Sequence, residues 1–309
     1  MVLPTRCFSS LNPIIPSAKK SIPATSSSAN EKIAPKMAPI LRQTHKDSQE
    51  SNGFCFCCSR RRFLGAGGAA LLPIRASGAS DSTSNDPKEM LNRIHPPRAD
   101  WYEEFYAWAM NTFTKAYEAE IAAYKSELFA NLRGQAKSVL EIGIGTGPNL
   151  KYYSGDMDLV YGIDPNRKME KYAQAAAEVA GLPPDNFKFM QAVSEALPLG
   201  DASVDAVVGT LVLCSVKDVD LTLQEVRRVL KPGGTFVFVE HVAAQDGTLH
   251  RFVQGLLDPL QQFVADGCHL TRKTGKSIAD AGFSEVDIHQ ASLSSASLIN
   301  PHVYGVAHK

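Results

Sequence analysis

The sequence predicts an α/β fold built on a mostly parallel sheet, and three observations predict it. A short, β-rich apolar run at 138–142 leads straight into the glycine turn 143–147, read as Gly-Ile-Gly-Thr-Gly. A second such run, 158–164, ends on the carboxylate of Asp164, 21 residues after Gly143. A stretch carrying Leu223, Val226, Val229 and Leu230 at helical spacing stops at Lys231-Pro232-Gly233-Gly234, and the β-rich run 235–240 follows. Apolar strands alternating with helical segments are the mark of a parallel sheet whose strands are buried on both faces.

The chain has 309 residues and a hydrophobic fraction of 44%, enough for one α/β domain with a full core. Its 32 basic and 32 acidic residues are unevenly placed: 11 basic and 3 acidic ones fall in 1–79, which leaves 80–309 at about −8. That balance argues against a nucleic-acid partner. No run reaches the ~18–20 apolar residues that span a bilayer. Cys7, Cys55, Cys57 and Cys58 lie in the first 60 residues. They lack a second pair or a nearby His at finger spacing, so no metal is expected there.

The glycine turn follows a strand and precedes a segment predicted to turn helical near Pro148 or Asn149. That context lifts it above chance. Glycines suit a backbone that must turn sharply and admit a ligand against it. A dinucleotide fold would show G-x-G-x-x-G; here the pattern is E-x-G-x-G-x-G from Glu141 to Gly147. Asp164, at the end of the second strand, can accept from both hydroxyls of a ribose. It can equally cap a helix with Pro165 at its first position. The third strand is 187–190, followed by Val193-Ser194-Glu195. The fourth is 204–210, ending Thr210-Leu211 at the ligand edge. Residues 99–134 read as a helical segment on which Trp101, Phe105, Trp108, Ala109, Phe113 and Tyr117 recur at spacings of three and four. Asp100 is its expected N-cap. This amphipathic helix is expected to pack on the main domain at 135–309, with some aromatics touching substrate. Residues 80–98 read as a linker.

These motifs resemble those of the class I methyltransferases, a Rossmann-like family. The resemblance implies a seven-stranded, mostly parallel sheet with helices on both faces, closed by an antiparallel C-terminal pair at 284–293 and 303–308. It implies S-adenosylmethionine as cofactor. Gly143, Gly145, Thr146 and Gly147 would lie under its methionine and ribose, and Glu141 would help hold the methionine ammonium. Asp164 would hold the ribose, and Thr210 and Leu211 would reach the cofactor edge. The acid that usually follows the third strand near the adenine is replaced by Val193, so Ser194, Glu195 or a backbone N–H takes that place. Passages at 210–216, 240–243, 257–259, 266–272 and 301–307 look like those of the alkyl-thiol S-methyltransferases, microsomal proteins in animals. That likeness spans roughly 110–309 and implies methyl transfer to a small, apolar thiol. It departs at the N-terminus, where the animal proteins carry a membrane-anchoring helix and this chain its presequence, so the expectation is no membrane span, with room for peripheral membrane contact. C-methylation of a prenylquinone-like ring and a non-catalytic cofactor-binding role are the alternatives.

A thiol (pKa near ~8.5) needs little help to ionise. Candidates for that help are His241, at the C-terminal end of the fifth strand, and Asp266, with His269 and His302 behind them. Asp258 either caps a helix or lines the pocket. Cys268 has no triad spacing around it, Cys214 reads as a small core residue, and a bond between the two is a question of geometry.

Residues 1–79 resemble an address. Residues 1–30 hold no Asp or Glu and many Ser, like a plastid or mitochondrial transit peptide. Ser59-Arg60-Arg61-Arg62-Phe63-Leu64 resembles the twin-arginine export motif, followed by a Gly- and Ala-rich run and a small-residue cleavage site at 76–79. Together they imply a chloroplast protein of the thylakoid lumen; a basic disordered tail is the alternative.

Overall fold

Seven strands make one sheet in the order β3-β2-β1-β4-β5-β7-β6. They are β1 (Ser138–Ile142), β2 (Leu159–Asp164), β3 (Phe187–Gln191), β4 (Val204–Thr210), β5 (Leu230–His241), β6 (Glu285–Ala291) and β7 (His302–His308). The first five run parallel, and β7 runs antiparallel between β5 and β6. This is the mostly parallel sheet with an antiparallel C-terminal pair that the sequence predicts. The computed structural model describes residues 86–153, 155, 157–294 and 296–309. The address at 1–79 lies outside the described residues.

Period-two alternation with both faces buried gives each strand two cores. Val139, Val160, Ala206, Val208, Val237 and Val239 face one side. There they meet α3 (Lys115–Ala130) through Ile121, Leu128 and Phe129, and α4 (Glu170–Val179) through Ala173 and Ala177. Leu140, Ile142, Ile163, Val207, Phe236 and Phe238 face the other. They meet α5 (Val219–Val229) through Leu223, Val226 and Val229, and Ile278 of α7 (Thr274–Asp280).

Five local expectations are corrected. The stretch 80–98 is not all linker, because α1 (Pro87–Ile94) lies within it. Asp86 caps α1 by accepting from Lys88 and Glu89, and Pro87 occupies the first turn, where its missing N–H costs nothing. The helical segment 99–134 is two helices, α2 (Asp100–Phe113) and α3, broken at Thr114, whose hydroxyl bonds back to Met110 O at 2.7 Å. The N-cap of α2 is Ala99, and Asp100 is a first-turn acid instead. No helix follows the glycine turn. A single 3-10 turn, Leu150–Tyr152, stands there, because the side chains of Asn149 and Tyr153 are drawn inward to Glu141. Finally, Lys231–Gly234 is not a free turn. Leu230 already pairs with Val204 and Thr235 with Ala206, so the intervening residues bulge from the start of β5.

Candidate active site

The C-terminal ends of β1, β2 and β4 open into a cavity of about 1000 Å³. That is the upper end of the ~300–1,000 Å³ typical of ligand sites, and crevices at strand C-termini are where α/β sheets bind ligands. Gly143, Ile144, Gly145 and Thr146 form its floor. Gly143 has φ +61°, and a Cβ there would stand 2.6 Å from Val212 Cγ2. Gly145 has φ +52°, and a Cβ there would meet nothing within 4 Å; it would project into open space. The first glycine lets two walls approach, and the second leaves the floor bare for a ligand. Gly147 packs against Leu150 and Ala173 and does not line the cavity.

Three buried carboxylates surround this floor. Asp164 lines the cavity; its two oxygens accept from Gly145 N at 3.0 Å and Asn166 N at 2.9 Å. Burial pushes its pKa up to about 7, against the pull of those two bonds. It does not cap α4. Asn166 instead caps a short 3-10 turn ahead of that helix by accepting from Lys168 N. Glu141 is 1% exposed and does not line the cavity. It accepts from Asn149 Nδ2 at 2.8 Å and Tyr153 OH at 2.7 Å, and Asn149 Nδ2 also donates to Thr210 Oγ1 at 2.9 Å. Glu141 thus ties the glycine turn to the end of β4 from behind. Burial raises its pKa to about 7 as well, opposed by the bonds from Tyr153 and Asn149. Glu240 of β5 accepts from Val212 N at 2.9 Å and Leu213 N at 3.0 Å. Those bonds hold Leu211, a wall residue at φ +54°, in the left-handed region. A non-glycine residue there costs about 1–3 kcal/mol, so the neighbouring structure must impose it.

At the third-strand end, Val193, Ser194 and Glu195 all line the cavity. The Glu195 carboxylate is engaged, accepting from Lys217 N at 2.6 Å. Val193 and Ala196 are packed by Met90 of α1, with Leu91 and Ile94 beside them. Where an acid was sought, the wall is apolar.

The opposite side of the cavity comes from α1, α2 and the loop after α6 (Leu249–Val264). The aromatic stripe expected to pack inward is largely outside. Trp101, Phe105, Trp108 and Phe113 are 73, 55, 46 and 71% exposed. Tyr102, Tyr106 and Met110 face the cavity instead, with Trp101 at its rim and Tyr117 and Glu118 beyond. Asp266 lines the cavity at φ +49°, with its carboxylate 2.6 Å from Arg98 Nη1 and 3.6 Å from His95 Nε2. Burial would push the Asp266 carboxyl up, but the His95 ring and the Arg98 charge outweigh it and hold it below the usual range. Neither His95 nor Arg98 figured in the sequence reading. The signal was present in the Asp86-Pro87 cap pair and the Met90, Leu91, Ile94 spacing.

His241 is 1% exposed and stands behind the wall, its Nε2 3.0 Å from Cys268 Sγ. Cys214 and Cys268 are both free and buried. His302 is buried and bonded to Asn300 Oδ1, and burial lowers its pKa to about 4. Asp258 accepts from Leu270 N and Gln262 Nε2 with His269 beside it, so it fastens α6 to the following loop.

A strand order of 3-2-1-4-5-7-6 with a bare glycine floor and a buried acid after β2 defines a class I S-adenosylmethionine-dependent methyltransferase. A methyltransferase domain model matches residues 140–238. The chain is 42% identical over 216 residues to thiol S-methyltransferase TMT1A of Homo sapiens, covering 67% of this chain and 87% of that protein. It is 38% identical to thiol S-methyltransferase TMT1B of Rattus norvegicus, covering 66% and 86%. Among solved structures, YcgJ from Bacillus subtilis shares the fold, with TM-score 0.50 and 18% identity over 60% of this chain and 98% of that one. A chain of the complex between the Haloferax volcanii Trm112 methyltransferase activator and a methyltransferase does so at TM-score 0.52 and 19% identity, covering 69% and 99%. The chain belongs to the thiol S-methyltransferase family.

Proposed function

We propose that this enzyme transfers a methyl group from S-adenosylmethionine to the sulfur of a small, apolar thiol. The observation that carries the reading is the division of the cavity: a polar floor with one available carboxylate faces a wall of Tyr102, Tyr106, Met110 and Ile94. Its polar half suits a nucleoside-linked amino acid, and its apolar half suits an uncharged acceptor. The likeness over about two thirds of the chain to relatives named as thiol S-methyltransferases supports sulfur as the accepting atom.

The residues present fit the cofactor. The floor at Gly143–Thr146 offers open space at Gly145, and Asp164 faces the cavity with a carboxylate able to accept from ribose hydroxyls. The apolar wall at Val193, backed by Met90, would hold the adenine by stacking, with Ser194 as its polar neighbour. Thr210 and Leu211 would edge the methionine end, and Glu141 would support that end through Asn149. When bound, the cofactor supplies a methyl group activated by its sulfonium. The protein's share is to hold the acceptor sulfur in line, worth up to ~7–11 kcal/mol of barrier in favourable systems. His95 is the one histidine among the described residues lining the cavity. The proton on the substrate sulfur passes to its imidazole, and Asp266 positions that ring.

The exposed aromatics of α2 form one apolar stripe and Leu249, Phe252, Leu256, Leu260 and Phe263 of α6, all more than half exposed, form another; each reaches the cavity at one residue, Trp101 and Phe263. No helix among the described residues is long and apolar enough to cross a membrane. The two stripes suit helices lying in a membrane interface, which would deliver apolar thiols to the mouth. The address at 1–79 supports the thylakoid lumen as the compartment; a mature N-terminus near Ser80 is the expected mass-spectrometric result.

The test is turnover with S-adenosylmethionine and either an alkyl thiol or a demethyl-quinol. Methylation of the thiol is expected. Turnover of the quinol alone would overturn the reading.

A further inference from the structure

We propose that Cys214, His241 and Cys268 form a buried binding site for one thiophilic divalent cation, zinc, which clamps the two walls of the cofactor cavity together. The three side chains come from separate places: the loop after β4, the end of β5 and the loop after α6. Yet two sulfurs and an imidazole nitrogen lie within 4.8 Å of one another. His241 Nε2 is 3.0 Å from Cys268 Sγ. That is a hydrogen-bond separation; zinc, with sulfur at ~2.3 Å and imidazole nitrogen at ~2.0–2.1 Å in a tetrahedron, would spread the pair to about 3.5 Å, a small shift for side chains already gathered at one point.

The chemistry of the set selects the ion. Two thiolates and one imidazole are soft and borderline donors, which favour zinc over the oxygen-seeking magnesium or calcium. Charge accounting agrees. A zinc ion with two thiolates is neutral, so it can be buried where a lone ion could not. His241 supplies a separate observation. The ring is buried with its Nε2 on the side of the sulfurs, so the nitrogen that a metal-bound ring would use already faces the two thiols. The frame is also fixed without the ion: His269 N donates to Cys214 O at 2.9 Å, and Arg272 Nη1 donates to Leu213 O at 2.7 Å.

Position gives the site its role. Cys214 is three residues from Leu211 and next to Ser215, and both of those line the cavity. Cys268 follows Asp266 and Gly267, which line the facing wall. An ion at the cluster joins those walls from behind, outside the cavity lining. Three protein ligands leave a fourth position for water. The ion would clamp the walls in the same way whichever molecule accepts the methyl group.

The experiment uses the full chain with Cys7, Cys55, Cys57 and Cys58 changed to serine, so that Cys214 and Cys268 are its only thiols. Under reducing conditions Zn2+ should bind at one per chain by elemental analysis. Co2+ in its place should give a thiolate-to-metal charge-transfer band. Chelation should expose two reactive thiols and weaken binding of S-adenosylmethionine several-fold in calorimetry. Cys268→Ser and His241→Gln should each lower Co2+ affinity by more than the ~10–100-fold that losing an outer-shell partner costs. Cys214→Ser is the third variant; if it does not fold, the other two still decide. Failure to take up Zn2+ or Co2+ while both thiols are reduced would overturn the proposal. So would a Cys214–Cys268 disulfide in the native chain, or a charge-transfer band of undiminished intensity in Cys268→Ser.

Discussion

The two halves of the cavity are built by different means. The floor is backbone: a glycine turn, N–H groups offered to Asp164, and a loop held by Glu240. The opposite wall is side chain: Tyr102, Tyr106 and Met110 of α2, and the Arg98–Asp266 pair. A backbone-built floor recognises what every member of the fold binds, and its geometry leaves little freedom in sequence. A side-chain wall can change with few constraints, so it is where acceptor specificity resides. Changes to the floor should therefore strike the cofactor, and changes to the wall should strike the methyl acceptor.

The sharpest way to break that division is Asp164→Ala. Two charge-assisted hydrogen bonds of about 1.5–3 kcal/mol each correspond to roughly 10²–10⁴-fold weaker S-adenosylmethionine binding. Titration calorimetry reads it, and a change under threefold would remove Asp164 from the ribose. Gly143→Ala comes next. The left-handed φ and the 2.6 Å approach to Val212 should cost about 1–3 kcal/mol or more. At ~2–4 °C per kcal/mol the thermal midpoint should fall by several degrees, with cofactor affinity falling alongside.

A pH titration sharpens the same half. With its pKa raised to about 7, Asp164 holds a proton below that pH in the free enzyme. Ribose hydroxyls donate to the ionised form, so affinity should climb by up to ~10-fold per unit towards pH 7 and level off above it. Asp164→Asn should flatten the curve. Stability of the free enzyme should run the other way. Asp164, Glu141 and Glu240 bind protons in the folded state between the ordinary carboxyl range and about 7. The folded state then holds more protons than the unfolded one, and stability declines as pH rises through that window.

The wall gives the smallest effects. Arg98 is about a third exposed but its partner Asp266 is mostly buried, so Arg98→Ala should lower the thermal midpoint modestly. It should lower kcat/KM for the thiol no more than ~10-fold while cofactor affinity holds. Equal losses in both would erase the distinction between floor and wall. His95→Ala should slow thiols whose pKa lies above the assay pH and spare those already ionised. A uniform loss would give His95 a structural part only.

What the sequence made legible divides along the same line. Strand order, the glycine turn and Asp164 could be read because backbone constraints leave fixed residues at fixed spacings. Glu141 was recognised as belonging to the turn, but its partners Asn149 and Tyr153 were not. They are ordinary polar residues until the chain folds back on itself. The wall was misread in two ways. The Asp86-Pro87 pair looks like a linker and is a helix start. The α2 stripe of Trp101, Phe105 and Trp108 has helical periodicity, but periodicity does not say which face meets the core; small, fully buried Ala107 marks the inner side. His241 was found by its place at a strand end, and only the meeting of three distant segments shows it beside two thiols.

The position of β7 also bears on how the molecule is assembled. The strands that carry the cofactor floor are consecutive along the chain from β1 to β4, whereas β7 must be inserted between β5 and β6. During synthesis β6 emerges with no permanent neighbour and acquires one only when residues 302–308 follow it. A premature stop before that strand would therefore strip two strands from the sheet, leaving β5 as an open edge beside an otherwise complete nucleotide-binding half.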